Sequence, residues 1–374
     1  MYRGTDLATI PFKQNGLLSF ARTKASTTKV PFVEKKYPNY ARIQELLEEC
    51  ANSGMWANRG PLYHHLALQY ADHMNVGPDR AITPCANAGI ALEAIARLLS
   101  VREGRKLRWI APAFSFKNLG RGFFSDVTFV DCNEHGVLGV EQLRQLPVDS
   151  FDGIILVNAF GISADFEALF QFARDHGKKL IIDNASGTHS KIPNWPWQCF
   201  SLHHTKPYGF GEGGLALTPE WAAKELYKIV DYGTRPEDPE AWLSNGKLSD
   251  VSCAFHLDRL EQHAAWLPAY YEQASRISEL AQKHGLRPMG PHGHDRPPTT
   301  SLPFLCDREI RSDALPAAVS LSFCKYYQPN RDTPNASQIW AHVINIPTHP
   351  GVAELSDKRI LSDIDRIVQA SARS

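Results

Sequence analysis

The chain has 374 residues, 43% of them hydrophobic, and its 40 basic and 40 acidic side chains cancel. That length leaves room for two to three domain-sized units at about 150 residues each, with ample apolar material for a globular core. No stretch concentrates the Lys and Arg that would neutralise a phosphate backbone, so nucleic acid and membrane surfaces are poor candidate partners.

After a polar lead-in, Tyr40 to Met55 places Ile43, Leu46, Leu47 and Cys50 on one helical face. A loop at Trp56 to Pro61 precedes a second helix over Tyr63 to Met74. Apolar runs then alternate with helical segments: Arg80 to Pro84, a helix Gly89 to Val101, Leu107 to Ala111, Val127 to Asp131, Ile154 to Asn158, a helix Phe166 to His176, and Lys179 to Asp183. This alternation predicts an α/β fold whose mostly parallel sheet is covered on both faces. Leu215 to Thr218 reads as a further strand. From about Ser249 the pattern changes to one long helix, Val251 to Ile277, a Pro- and Gly-rich loop over Pro288 to Pro298, and a strand-and-helix tail ending in Lys358 to Ala372. The expected division is a large domain over 1–248, with an N-terminal extension over 1–30, and a small α+β domain over 249–374.

The seven cysteines are scattered, with no CxxC pair and no zinc-ligand spacing, and read as reduced cytosolic thiols. The first 32 residues hold no continuous apolar segment of signal-peptide type, and nowhere do about 18 apolar residues run together. A soluble, cytoplasmic protein is the expectation.

Four segments carry the chemistry. Lys179 to Asp183 is a buried strand closed by a carboxylate at its C-terminal edge, where ligands sit in open α/β sheets; a plain turn-capping Asp is the simpler alternative. Lys206 stands between a Ser-, His- and Thr-containing turn (Ser201 to Thr205) and the glycines of Gly209 to Gly214, although an exposed turn lysine fits the isolated pattern equally well. Together the two supply an amine whose pKa can be lowered to form an imine and a carboxylate that keeps a pyridine nitrogen protonated, the paired needs of pyridoxal 5′-phosphate (PLP). Cys85 to Leu99 opens a helix on small residues, so the Ala88 and Gly89 amides, with the Ser201 hydroxyl, can cradle a phosphate; an ordinary helix start is the alternative. Phe116 can stack on the pyridine ring, with core packing as its competing fate.

In order and wording these segments resemble the DegT/StrS family of PLP-dependent aminotransferases. The likeness runs through Val30 to Phe32, Ser53 to Trp56, Gly60-Pro61, Asn87 to Leu92, Pro112 to Phe116, Val157 to Gly161, Ala164-Asp165, Ile182 to Ala185, Phe200-Ser201, Lys206, Gly211 to Gly214, Asn245 to Asp250 and Ile346 to Gly351. It implies a fold type I PLP-dependent transferase that moves an amino group from an amino acid, glutamate by analogy, to a keto-sugar, most often nucleotide-linked. A cyclitol or other natural-product ketone is the alternative acceptor, and a PLP-fold binding protein without turnover the alternative class. A sugar dehydratase of the family would carry histidine in place of Lys206.

The resemblance implies that Lys206 forms the Schiff base and that Asp183 holds the pyridine nitrogen. It puts Ala88, Gly89 and Ser201 at the phosphate and Phe116 on the ring. Asn245 would reach the cofactor phosphate of a neighbouring subunit, hence a homodimer. It implies no metal. Three departures stand out. Ala88-Gly89 replaces Gly-Thr, and Lys247 stands for arginine. Ser186 occupies the place of a glutamine that bonds the cofactor's phenolic oxygen, with Asn184 or His189 as potential substitutes.

Overall fold

The computed structural model describes residues 29–162, 165–232, 242–291 and 293–372. Of the expectations above, nearly all of the 1–30 extension, and Ala164, lie outside the described residues.

Helix α1 (Tyr40–Ser53) starts at an Asn39 cap that accepts from the Arg42 amide, and stops at Gly54 in a left-handed conformation, two residues earlier than the apolar pattern suggested. Helix α2 (Pro61–His73) begins two residues earlier than expected, because Pro61 is preset for the first helical position. Then come β1 (Arg80–Cys85), α3 (Ala88–Arg102), β2 (Trp109–Pro112), β3 (Thr128–Val130), α4 (Val140–Arg144), β4 (Gly153–Val157), α5 (Glu167–Asp175) and β5 (Lys179–Asp183). Strand β6 (Gln198–Ser201), not anticipated from the sequence, precedes β7 (Gly214–Pro219) and α6 (Glu220–Ile229).

These seven strands form one sheet in the order β1-β7-β6-β5-β4-β2-β3. It is parallel except at β7, which runs antiparallel to both β1 and β6. Every residue of β2, β4 and β6 is buried, as expected of strands covered on both faces.

The expected single helix over 251–277 is two: α7 (Asp250–Glu261) and α8 (His263–Lys283). Gln262 leaves helical geometry at φ −82°, ψ 3°, and donates back to Asp258 Oδ1 at 2.6 Å. The segment serves two cores, and the change falls inside α8, whose Trp266 and Tyr270 still pack with the large-sheet cluster. Cys253, Ala254, Leu257 and Leu260 of α7 pack in the cluster around the large sheet. Ile277 and Ala281 of α8 join a separate cluster with Phe304, Ile344 and Ile364. That second cluster draws on β9 (Ser301–Leu305), β10 (Val343–Pro347) and α10 (Asp357–Ser371), with β10, β9 and β8 (Arg287–Pro288) forming a three-stranded antiparallel sheet, while α9 (Pro334–His342) packs its Ala336 and Ile339 with Ala113 and Phe114.

Candidate active site

The strand register brings the chemistry to one edge. Asp183 ends β5 and pairs with Cys199 of β6. Ser201, the last residue of β6, lies opposite Gly214 of β7, and Gly214 lies opposite Cys85, the last residue of β1. The chain leaves β1 directly into α3, so the start of that helix shares the edge with Asp183 and Ser201.

Asn87 caps α3 by accepting from the Ile90 amide at 2.9 Å, which leaves the Ala88 and Gly89 amides at the two helical positions that lack intrahelical partners. Glycine at 214 is what allows this closeness: a Cβ there would fall 2.4 Å from the Ala88 nitrogen and 2.3 Å from the Asn87 carbonyl carbon. Beside Gly89 stands Asn118, whose Oδ1 is buried without a hydrogen-bond partner among the described residues. The donor set of two helix amides and the Ser201 hydroxyl fits a phosphate group.

Asp183 is buried, and burial raises its pKa. The Ala185 amide and the charge of Lys206 act in the opposite direction. Lys206 shows the complementary effect, its pKa lowered by burial and partly restored by Asp183. Each ionised group therefore feels the other across the site. Lys206 Nζ donates to Ser186 Oγ at 2.7 Å. The enclosed amine, the buried carboxylate and the helix start together match the three reactive ends of PLP: aldehyde, ring nitrogen and phosphate.

Phe116, the candidate for ring stacking, is 58% exposed and so is not core, whereas its neighbour Phe114 is fully buried. Asn184 is committed elsewhere. Its Oδ1 accepts from Asn158 at 2.8 Å and its amide donates to Gln198 at 3.1 Å, a buried relay that fixes the side chain between the strands. His189 Nδ1 accepts from the Lys191 amide, and burial lowers its pKa. Asn245 lies on the surface. Its neighbour Gly246 accepts from the Ala86 amide at 2.7 Å, close to the α3 start. Lys247 is held by Asp231 at 2.6 Å in a largely buried pair.

The Lys206 turn is clamped from below by residues no local motif announced. Lys36 Nζ donates to the carbonyls of His204 and Gly209, both at 2.7 Å, and to that of Lys206 itself. Arg259 Nε donates to Pro207 O at 2.9 Å and its other arm pairs with Glu34 at 2.8 Å. Thr300 Oγ1 closes on Thr205 O at 2.5 Å. Three carbonyl acceptors match the three donors of an ammonium, so Lys36 works here as a cation although burial, then Arg259, pull its pKa down to about 7 against the opposing pull of Glu34. Lys36→Met should therefore cost about 2–3 kcal/mol, the scale of one charge-assisted hydrogen-bond cluster after its own burial cost is subtracted. Denaturant unfolding at unchanged m-value measures it. An unaltered midpoint would mean the clamp carries no net energy.

The sheet and the elements around it define an α/β protein of fold type I. The family model for the DegT/DnrJ/EryC1/StrS aminotransferase family matches residues 39–365, and the chain belongs to that family. Protein Rv3402c of Mycobacterium tuberculosis is 27% identical over 254 residues, covering 62% of this chain and 60% of the relative. The dTDP-4-amino-4,6-dideoxy-D-glucose transaminase of Shigella dysenteriae is 24% identical over 245 residues, covering 62% and 65%. The chain thus spans less than two thirds of the length of these curated relatives. Among solved structures, DesI, crystallised in the presence of its TDP-sugar product, superposes with a TM-score of 0.74 at 19% identity over 90% of this chain and 91% of its own, a likeness of fold. No described helix is long and apolar enough to cross a membrane.

Proposed function

We propose that this chain is a PLP-dependent aminotransferase that moves an amino group from an amino acid, glutamate by family analogy, to the keto group of a nucleotide-linked sugar. The observation that carries the reading is the pairing of an enclosed Lys206 amine with the buried Asp183 carboxylate on the sheet edge that also holds the α3 start. When bound, PLP supplies an electron sink that makes the carbon bearing the amino group acidic.

The chain's own groups do the rest. Lys206 binds the aldehyde and, once released, holds and returns the proton at the reacting carbon; its lowered pKa favours the neutral amine that both tasks need. Asp183 keeps the ring nitrogen protonated, and its own burial strengthens that ion pair. Ala88, Gly89 and Ser201 hold the phosphate, Phe116 covers the ring, and Ser186 sits at the amine.

The sugar acceptor is supported by the names of the relatives: the Shigella protein is a transaminase of a dTDP-linked amino sugar, and DesI was crystallised with a TDP-sugar product. A homodimer with shared sites is part of the proposal, with Asn245 reaching the phosphate of the second copy. The exposed Tyr232 (65%) and Trp242 (38%), in contact near Asn245, give such a partner an apolar surface to cover. Seven free cysteines support a cytoplasmic location.

Incubation of the purified protein with glutamate and nucleotide-linked 4-keto or 3-keto sugars tests the reading. We expect 2-oxoglutarate and amino sugar in equal amounts. Amination of cyclitol ketones alone would replace the sugar acceptor, and no 2-oxoglutarate with any ketone would replace the enzyme by a binding protein.

A further inference from the structure

The segment between β9 and α9 sends one side chain, Tyr327, to the serine that receives the Lys206 hydrogen bond. Tyr327 stacks on Phe160, with ring centroids 4.9 Å apart at 24°, and meets Phe114 edge-on at 5.7 Å and 80°. Its phenol reaches the Ser186 side chain and lies close enough to Asp183 to feel its charge. Ser186 is the residue that receives the Lys206 hydrogen bond at 2.7 Å.

The backbone nearby is arranged for this contact. Phe160 is held at φ 58°, ψ 4°, a left-handed conformation that is costly for a bulky residue and that persists only where surroundings impose it. Gly161 follows at φ 73°, and a Cβ on it would come 2.5 Å from the Ser186 carbonyl oxygen. The Phe160-Gly161 turn therefore fixes both the ring that Tyr327 stacks on and the backbone of the serine that its phenol reaches.

PLP carries its hydroxyl on the ring carbon next to the one bearing the aldehyde. A cofactor joined to Lys206 Nζ has its phenolic oxygen beside that nitrogen, and so beside a group already hydrogen-bonded there. We propose that Ser186 and Tyr327 form the donor pair for the phenolic oxygen of PLP held at Lys206, with Tyr327 supplying the reach that a serine lacks. The inference rests on the cofactor reading above. Burial and Asp183 push the Tyr327 phenol well up, so it stays protonated and acts as a donor throughout the working range.

Donors on the phenolic oxygen stabilise its anion and weaken its internal hydrogen bond to the protonated linkage nitrogen, which lowers that nitrogen's pKa. The test is the pH titration of the visible absorption of the purified protein carrying PLP, for wild type, Tyr327→Phe and Ser186→Ala. Phenylalanine keeps the ring on Phe160, so a packing role would leave the titration unmoved.

We expect the midpoint to rise by about one pH unit, a tenfold change in proton affinity, in either variant. The double variant should shift by less than the sum, because the two residues act on one oxygen. Unchanged midpoints in both variants of a titrating wild type overturn the pair alone, and Ser186→Ala decides the matter if Tyr327→Phe does not fold. A wild type with no visible band overturns the pair together with the cofactor reading.

Discussion

Lys206→Ala is expected to lower turnover at least about a thousandfold, because one substitution removes both the cofactor attachment and the group that moves the proton, steps worth about 10²–10⁴ for acid–base work alone. Steady-state rates with saturating glutamate and keto-sugar measure it, and thermal unfolding checks the fold. The clamp on the turn uses the carbonyls of residues 204–207 and 209, not the Lys206 side chain, so the loop itself should survive. Turnover within tenfold of wild type would place the chemistry elsewhere.

Asp183→Asn carries the second large effect, in two opposite directions. A carboxylate this buried, with the Ala185 amide at 3.2 Å and the Cys199 thiol at 3.8 Å as its hydrogen-bonding neighbours, is costly until a cation arrives. Asparagine keeps the acceptor oxygen and removes the charge, so the PLP-free protein should gain about 1–2 kcal/mol. Activity should fall about a hundredfold or more, since nothing then holds the proton on the ring nitrogen. Calorimetry of the PLP-free protein and initial rates read the two effects separately. A variant that loses stability and keeps its rate would make Asp183 a structural turn residue.

Much of this was legible in local patterns. Strand β5 was read with its correct ends, because Lys-Leu-Ile-Ile-Asp is an apolar run stopped by a charge, and Lys206 gained meaning from its place before a glycine-rich loop only when taken together with Asp183. Strand β6 was missed for a physical reason: four residues beginning with a buried Gln, just after a Trp- and Pro-rich turn, have neither alternation nor a long apolar run. Gln198 is tolerated inside the sheet only because its amide donates to Pro193 and Trp195 carbonyls at 2.7 Å and its oxygen accepts from Asn184.

The unbroken helix over 251–277 failed on the same kind of limit. Apolar periodicity shows which face is buried but not where along the segment the buried face passes from one core to the other, and Gln262 carries no Gly or Pro signal of the break. The residues contributed over long chain distances, Lys36 beneath the Lys206 turn and Tyr327 beside Ser186, carry no local signature at all. Their meaning exists only once the sheet edge has gathered them.

Lys206 is the lysine proposed to take the cofactor, and a second lysine, Lys36, bonds the carbonyls of the same turn. Borohydride reduction of the purified protein with PLP, followed by peptide mass mapping, distinguishes them. A reduced cofactor adduct is expected on the peptide containing Lys206 and on no other; an adduct on Lys36, or none on any lysine, would contradict the role of Lys206.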